Sequence, residues 1–325
     1  MPHDSEGREW AEAVVDGRWL RPAPVDGPRE PRWGHPDGLQ LGLHPLSGPR
    51  GLLRLYAPYL DHPRDRLLNF IAVEPIPAGS TERGYSELER SGLDDVPGLR
   101  MWSTDDPGAL SPRDPRDPVR GTVATVDGIE TLTVDVAVEP FANAADVWVR
   151  AVFRADRPHE VSVAAYRRPT SAALEACVLT ATMGNWARLR TLRLAGGDAH
   201  AAGLWPNYTD VHFAEHARFG VDRLVHDGGA VTVSALPDEA DPHLAVHAPG
   251  TAEHWAYVGR PAVQTWRADD PDPALVAQVN GRFTYWMSQA PIPGGIAFEN
   301  FEFVEPFRQG RAFTFSAEPR DHAAS

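Results

Sequence analysis

The stretch FTYWMSQAPIPGGIAFENFEF, residues 283–303, sets two carboxylates and an amide, Glu299, Asn300 and Glu302, among aromatic and aliphatic side chains. Two carboxyl groups held together can run glycoside cleavage, one as acid and the other as base or nucleophile. Glu302 and Glu299 are therefore the first catalytic candidates, set against the plainer reading of outward residues on an ordinary strand. Side chains alternate along a strand, yet the apolar set here shifts by one between Phe298 and Phe301. That shift predicts a β-bulge at Glu299-Asn300, with Ile296, Phe298, Phe301 and Phe303 facing the core and Glu302 facing away.

A second acidic stretch, RGYSELERSGLDD (83–95), is expected to place Glu87 and Glu89 on one strand face beside Tyr85, with Arg83 and Arg90 near enough to tune them. A solvated edge strand is the alternative. HFAEH, with His212, Glu215 and His216, fits the HxxEH pattern of inverted zinc peptidases, which needs a helix to bring both imidazoles to one face. On a strand, His212 and His216 would stand about 13 Å apart, too far for one metal. A cap at Thr209 or Asp210 and a stop at Gly220 would suit a helix, but those peptidases need a helix-rich fold and this chain reads as β, so zinc is the minor reading beside a polar loop or a short exposed helix.

Sugars stack their C–H faces on aromatic rings and bond their hydroxyls to planar polar groups. Such groups cluster in MGNWARLR (Asn185, Trp186, Arg188, Arg190), GLWPNYTDVHF (Trp205, Asn207, Tyr208, Asp210) and NGRFTYW (Asn280, Arg282, Tyr285, Trp286). Tyr208 and His212 are read as catalytic helpers. Arg188 and Arg190 would suit a uronate carboxylate, or would pair with the protein's own acids.

The bulk of the chain narrows these readings. Among 325 residues there is no lysine and the formal net charge is −14. Schiff-base enzymes and Lys-bearing phosphate loops are excluded, and an acidic surface argues against nucleic acid as a partner. Cys177 is the single cysteine, so no internal disulfide forms, and it reads as a small buried hydrophobe. No segment reaches membrane-spanning length, and acids stand where a signal peptide would be basic. A cytoplasmic protein is expected, or a secreted one whose leader had been removed; no cofactor and no membrane partner are expected.

The elements that must position these groups are strands. In TLTVDVAVEP (131–140), Leu132, Val134, Val136 and Val138 fall on one face. The same period of two recurs in ADVWVRAVF, HEVSVAAY, EACVLTATM, ARLRTLRLAG and GAVTVSAL, separated by turn residues. The expectation is an all-β antiparallel sandwich, a supersandwich or jelly roll, with few short helices. Residues 1–35 are expected to be an arm with a short helix around SEGREWAEAVV, 36–316 a single domain, and 317–325 a disordered tail. Residues 103–119 and 238–254 are expected to be long surface loops.

GLLRLYAPYL, NFIAVEP, LTATMGN and PIPGGIAFENFEF resemble stretches of uncharacterised bacterial proteins. In outline the chain resembles carbohydrate-active β-sandwiches, of the galactose-mutarotase-like or concanavalin-like kind. The resemblance implies a carbohydrate ligand and a hydrolase or lyase; it supplies no catalytic motif residue by residue. A non-catalytic carbohydrate-binding protein is the alternative, and a zinc hydrolase using HFAEH the third.

Overall fold

The structure is a computed structural model that describes residues 14–23, 30–44, 50–63, 67–114, 117–182, 187–238, 257, 259–286 and 288–320. Alternation of apolar and polar residues folds these segments into two large antiparallel sheets. The first runs in the order β1 (Val14–Asp16), β2 (Trp19–Arg21), β3 (Arg32–Gly34), β4 (Gln40–Gly42), β5 (Leu52–Tyr56), β6 (Leu67–Pro77), β12 (Leu174–Thr182), β20 (Ala297–Val304), β19 (Val276–Arg282) and β15 (Ala217–Gly220). The second runs β14 (Ala199–His200), β13 (Leu189–Arg193), β17 (Ala230–Pro237), β18 (Ala262–Asp269), β21 (Ala312–Pro319), β11 (Glu160–Arg167), β10 (Val147–Arg154), β9 (Ile129–Val138) and β7 (Met101–Thr104). Two hairpin partners complete it: β8 (Thr122–Val126) pairs with β9, and β16 (Val225–Asp227) with β17. The all-β sandwich expected from the sequence is the fold.

One continuous apolar layer lies between the sheets. Leu132, Val134, Val136 and Val138 enter it from β9, as the alternation requires, and meet Ile71, Val73, Leu179, Phe301 and Phe303 from the first sheet. Each such side chain contributes about 1.5–3 kcal/mol by leaving water. The Trp266 indole Nε1 donates to the Phe301 carbonyl at 2.8 Å, so β18 is tied across the layer to β20 by a hydrogen bond as well as by packing.

Several boundaries differ from the expectation. Residues 14–23 and 30–34 are not an arm laid over the sandwich: they carry β1, β2 and β3, and Trp19 and Trp33 are buried in the common core. Their polar, Pro-rich surroundings hid short strands whose anchoring comes from these two rings. The helix expected around SEGREWAEAVV falls on residues outside the described ones, apart from its last two, which open β1. Residues 317–319 belong to β21 (Ala312–Pro319) rather than to a tail. The loop expected at 238–254 lies almost wholly outside the described residues.

The bulge is where parity places it. Val279 pairs with Phe301 and Gly281 with Phe298, so β20 carries one more residue than β19 across that step, and the Asn280 side chain accepts from the Asn300 N–H at 2.9 Å. Ile296, Phe298, Phe301 and Phe303 consequently all join the core.

Candidate functional site

Parity sends alternate residues of β6, β12, β20 and β19 to the outer face of the first sheet. Glu74 is brought there by β6, Thr180 by β12, Glu302 by β20, and Gln278 by β19, where it stands opposite Glu302. The segment leading into β15 adds His216. The stretch after β6 folds back beside it, with Gly84 N–H donating to the Pro75 carbonyl at 2.9 Å and Ser86 N–H to that of Val73 at 3.2 Å. That return brings Arg83, Tyr85 and Glu87 to the acids.

Arg83 is the centre of the group. Its Nη1 donates to Glu74 Oε2 at 2.6 Å and to Glu302 Oε1 at 2.8 Å. Thr180 Oγ1 donates to the other Glu302 oxygen at 2.6 Å. In the amide orientation that satisfies both neighbours, Gln278 donates to Glu302 Oε1 at 3.2 Å and accepts from Arg218 Nε at 3.0 Å. His216 Nε2 stands 3.8 Å from Glu302 Oε1, longer than a hydrogen bond and within ion-pair reach. Glu74 and Glu302 thus accept from the same nitrogen, which holds two buried carboxyl groups beside one guanidinium.

The charges do not balance within the core of the group, and the protonation states follow. Burial pushes Glu74 well above the ordinary carboxylate range, reinforced by the Glu302 and Glu87 carboxyls and opposed by Arg83. Burial likewise raises Glu87 to about 7, with its own backbone N–H pulling the other way and Glu302 adding to the rise. One Glu87 oxygen, Oε2, is buried with no hydrogen-bond partner. Burial works against the Arg83 charge, but Glu302 and Glu74 outweigh it and hold the guanidinium above its usual value. His216 is lowered, first by burial and then by the Arg83 and Arg218 charges, against the pull of Glu302. At neutral pH the arrangement thus offers a carboxylic acid poised to give a proton and an imidazole free to take one.

Access differs sharply across the group. Glu302 is 0% exposed and Glu74 3%, whereas the Tyr85 ring is 41% exposed and the His216 side chain 33%. Tyr85 and His216 are the exposed members of the group, and Glu302 lies beneath them.

The other sequence candidates scatter. Glu299 is buried at the bulge. HFAEH is extended, not helical: Phe213 bridges to Arg282, Ala217 pairs with Val279, and the His212 side chain is 84% exposed in the loop before them. The cap and stop residues are outvoted by pairing with β19; the extended segment separates His212 and His216 along the backbone instead of stacking them one helical turn apart, and the zinc reading loses its geometry. Tyr208 Oη donates to the His212 carbonyl at 3.1 Å, a loop tie. Trp205 closes the four-residue helix α1 (Ala201–Leu204), stacks edge-on against Phe298 and donates to the Glu215 carbonyl at 2.9 Å. Asn207 is exposed with φ +63°, a turn position.

Arg188 and Arg190 are buried, not displayed to a uronate. Arg190 Nη1 pairs with Asp238 at 3.0 Å and its other nitrogens donate to the carbonyls of Ile296 at 3.1 Å and Gly295 at 3.2 Å, so it builds the PIPGG turn. Tyr285 is buried, while Trp286 is 38% exposed beside Phe213, with the Arg282 guanidinium over both rings. Asn185 and Trp186 lie outside the described residues. Glu89 is a structural tie, accepting from the Ala142 N–H at 2.8 Å, and Arg90 pairs with Asp95 instead of tuning Glu87.

Sequence reasoning passed over Glu74, Thr180 and Gln278. Glu74 carried a readable signal, since in NFIAVEP it alternates with the core residues Val73 and Ile71. A second buried polar group lies further along the same face, where Tyr56 Oη donates to Glu30 Oε2 at 2.6 Å and the Arg32 guanidinium stacks 3.6 Å from the Tyr56 ring. Among the described residues, no helix is long and apolar enough to cross a membrane. No protein-family model, curated protein or solved structure matches the chain.

Proposed function

We propose that this protein is a carbohydrate-processing enzyme of the hydrolase or lyase type, with Glu87 as general acid and His216 as general base. Glu302, Glu74 and Arg83 are the positioning groups beneath them. The observation that carries the reading is the shared contact of Arg83 with Glu74 and Glu302, next to a Glu87 whose acid form persists to neutral pH. Pairs of titrating groups driven apart in pKa by their surroundings are what acid–base catalysis uses. Tyr85 is the exposed ring against which a sugar face would stack.

The ligand is a neutral, hydroxyl-rich sugar rather than a uronate, because a further carboxylate would stand among Glu74, Glu87 and Glu302, with the Arg83 charge already shared between two of them. The reading includes action in the cytoplasm. Turnover of a panel of neutral oligosaccharides, followed as new reducing ends and as unsaturated products, tests it. Glu87→Gln and His216→Asn should each lower kcat by about a hundredfold or more. Full activity in both variants sinks the assignment.

Non-catalytic carbohydrate binding is the second reading, favoured by the complete burial of Glu302 and Glu74. It expects Glu87→Gln and His216→Asn to keep ligand affinity while no substrate is turned over by any form of the protein.

A further inference from the structure

A cleft opens where the end of β4 meets the edge strand β7, lined by Leu43, His44, Arg100, Met101, Trp102 and Arg113. It continues past His44 and Arg100 to Arg50. Two of its lining residues each carry a buried nitrogen without a hydrogen-bond partner: Trp102 at Nε1 and His44 at Nδ1. Trp102 is 7% exposed, so its indole N–H is withdrawn from bulk water. Buried donors normally find acceptors, and an unsatisfied one in a native fold calls for an account.

We infer that this cleft binds a small carboxylate with a short aliphatic body, its oxygens accepting from Trp102 Nε1 and His44 Nδ1. An indole N–H only donates, so its missing partner must be an acceptor. Neutral imidazole in the Nδ1–H tautomer donates in the same way, and burial together with the Arg54 and Arg50 charges keeps His44 neutral far below pH 7. Arg50, Arg100 and Arg113 make the lining locally basic in a chain of net charge −14, although each also pairs with an aspartate and Asp114 lines the cleft as well. A guanidinium already paired on one edge still presents donors to a second carboxylate. Leu43 and Met101 give the body of the ligand an apolar wall.

The site is independent of the Glu302 group. It is tested by following the indole ¹H–¹⁵N signals of the full chain during titration with sodium butyrate and, separately, with inorganic phosphate at constant ionic strength. The Trp102 signal is identified by its loss in Trp102→Phe. Butyrate should move that signal, out of the ten tryptophans, and saturate in the millimolar range. His44→Phe and Arg100→Gln should each weaken binding by about tenfold. No movement of the Trp102 signal by 50 mM butyrate, or phosphate binding as tightly as butyrate, overturns the assignment. If Trp102→Phe does not fold, the affinities of His44→Phe and Arg100→Gln decide, and unchanged binding in both overturns it.

Discussion

Arg83 and Glu302 are separated by 219 positions in the chain, and Arg83 Nη1 donates to Glu302 Oε1 at 2.8 Å with the carboxyl wholly buried. The contact joins the return after β6 to the middle of β20. It also neutralises a group that two strands would otherwise leave charged under a covered sheet face.

Removing the cation should therefore cost more than the hydrogen bonds it makes. Arg83→Met leaves Glu74 and Glu302 without compensation and should destabilise the fold by about 3–5 kcal/mol, the range for breaking one side of a buried pair. The loss should be smaller at pH 5 than at pH 8, because protonation relieves uncompensated carboxylates. Urea unfolding at the two pH values measures it, and an equal loss at both would contradict the charge argument.

Glu87 gives a pH dependence of known sign. Its folded-state pKa, about 7, lies above the ordinary 4.5, so its contribution is fully present below pH 4.5 and is lost as pH rises through 7. Glu87→Gln should be near neutral at pH 4.5 and should stabilise by about 1–2 kcal/mol at pH 8, the shift being discounted for partial exposure. Thermal melts across that range test it; a gain that does not grow with pH would contradict it.

His44 tilts the other way. Its pKa is pushed down to about 4, first by burial and then by Arg54 and Arg50, so the stability it contributes is present above pH 6.5 and lost as pH falls toward 4. His44→Gln should flatten the acid side of the stability profile between those values. The same melts read it, with an unchanged acid limb as the adverse outcome.

Gly294 tests the PIPGG turn. It holds φ +84°, and a Cβ there would stand 3.0 Å from Arg190 Nη1. Gly294→Ala should cost about 1–3 kcal/mol from backbone strain, with displacement of the guanidinium added. Gly79→Ala, at φ +75° with nothing within 4 Å of the added carbon, isolates the strain alone and should cost less. Equal losses would show that Arg190 yields freely.

The sheets were legible because burial imposes a period of two on the sequence. Leu132, Val134, Val136 and Val138 announced β9 outright, and the slip between Phe298 and Phe301 announced the bulge that turns Glu302 away from the core. Local signals failed where pairing partners outweighed them. The caps around HFAEH favour a helix, but the free hydrogen-bonding edge of β19 draws Phe213 and Ala217 into extended pairing.

What the sequence determined by itself was local: alternation, the absence of lysine chemistry, and which face of β20 carries Glu302. What only the tertiary structure decided was company. Arg83, Glu74, Thr180 and His216 reach Glu302 from distant segments, and the alternation of one strand says nothing about which strand lies beside it. The outward face of β20 would be wet in an uncovered sheet. It is dry here because the return after β6 lays Arg83 across it, and that covering turns Glu302 from a surface charge into a buried, partnered one.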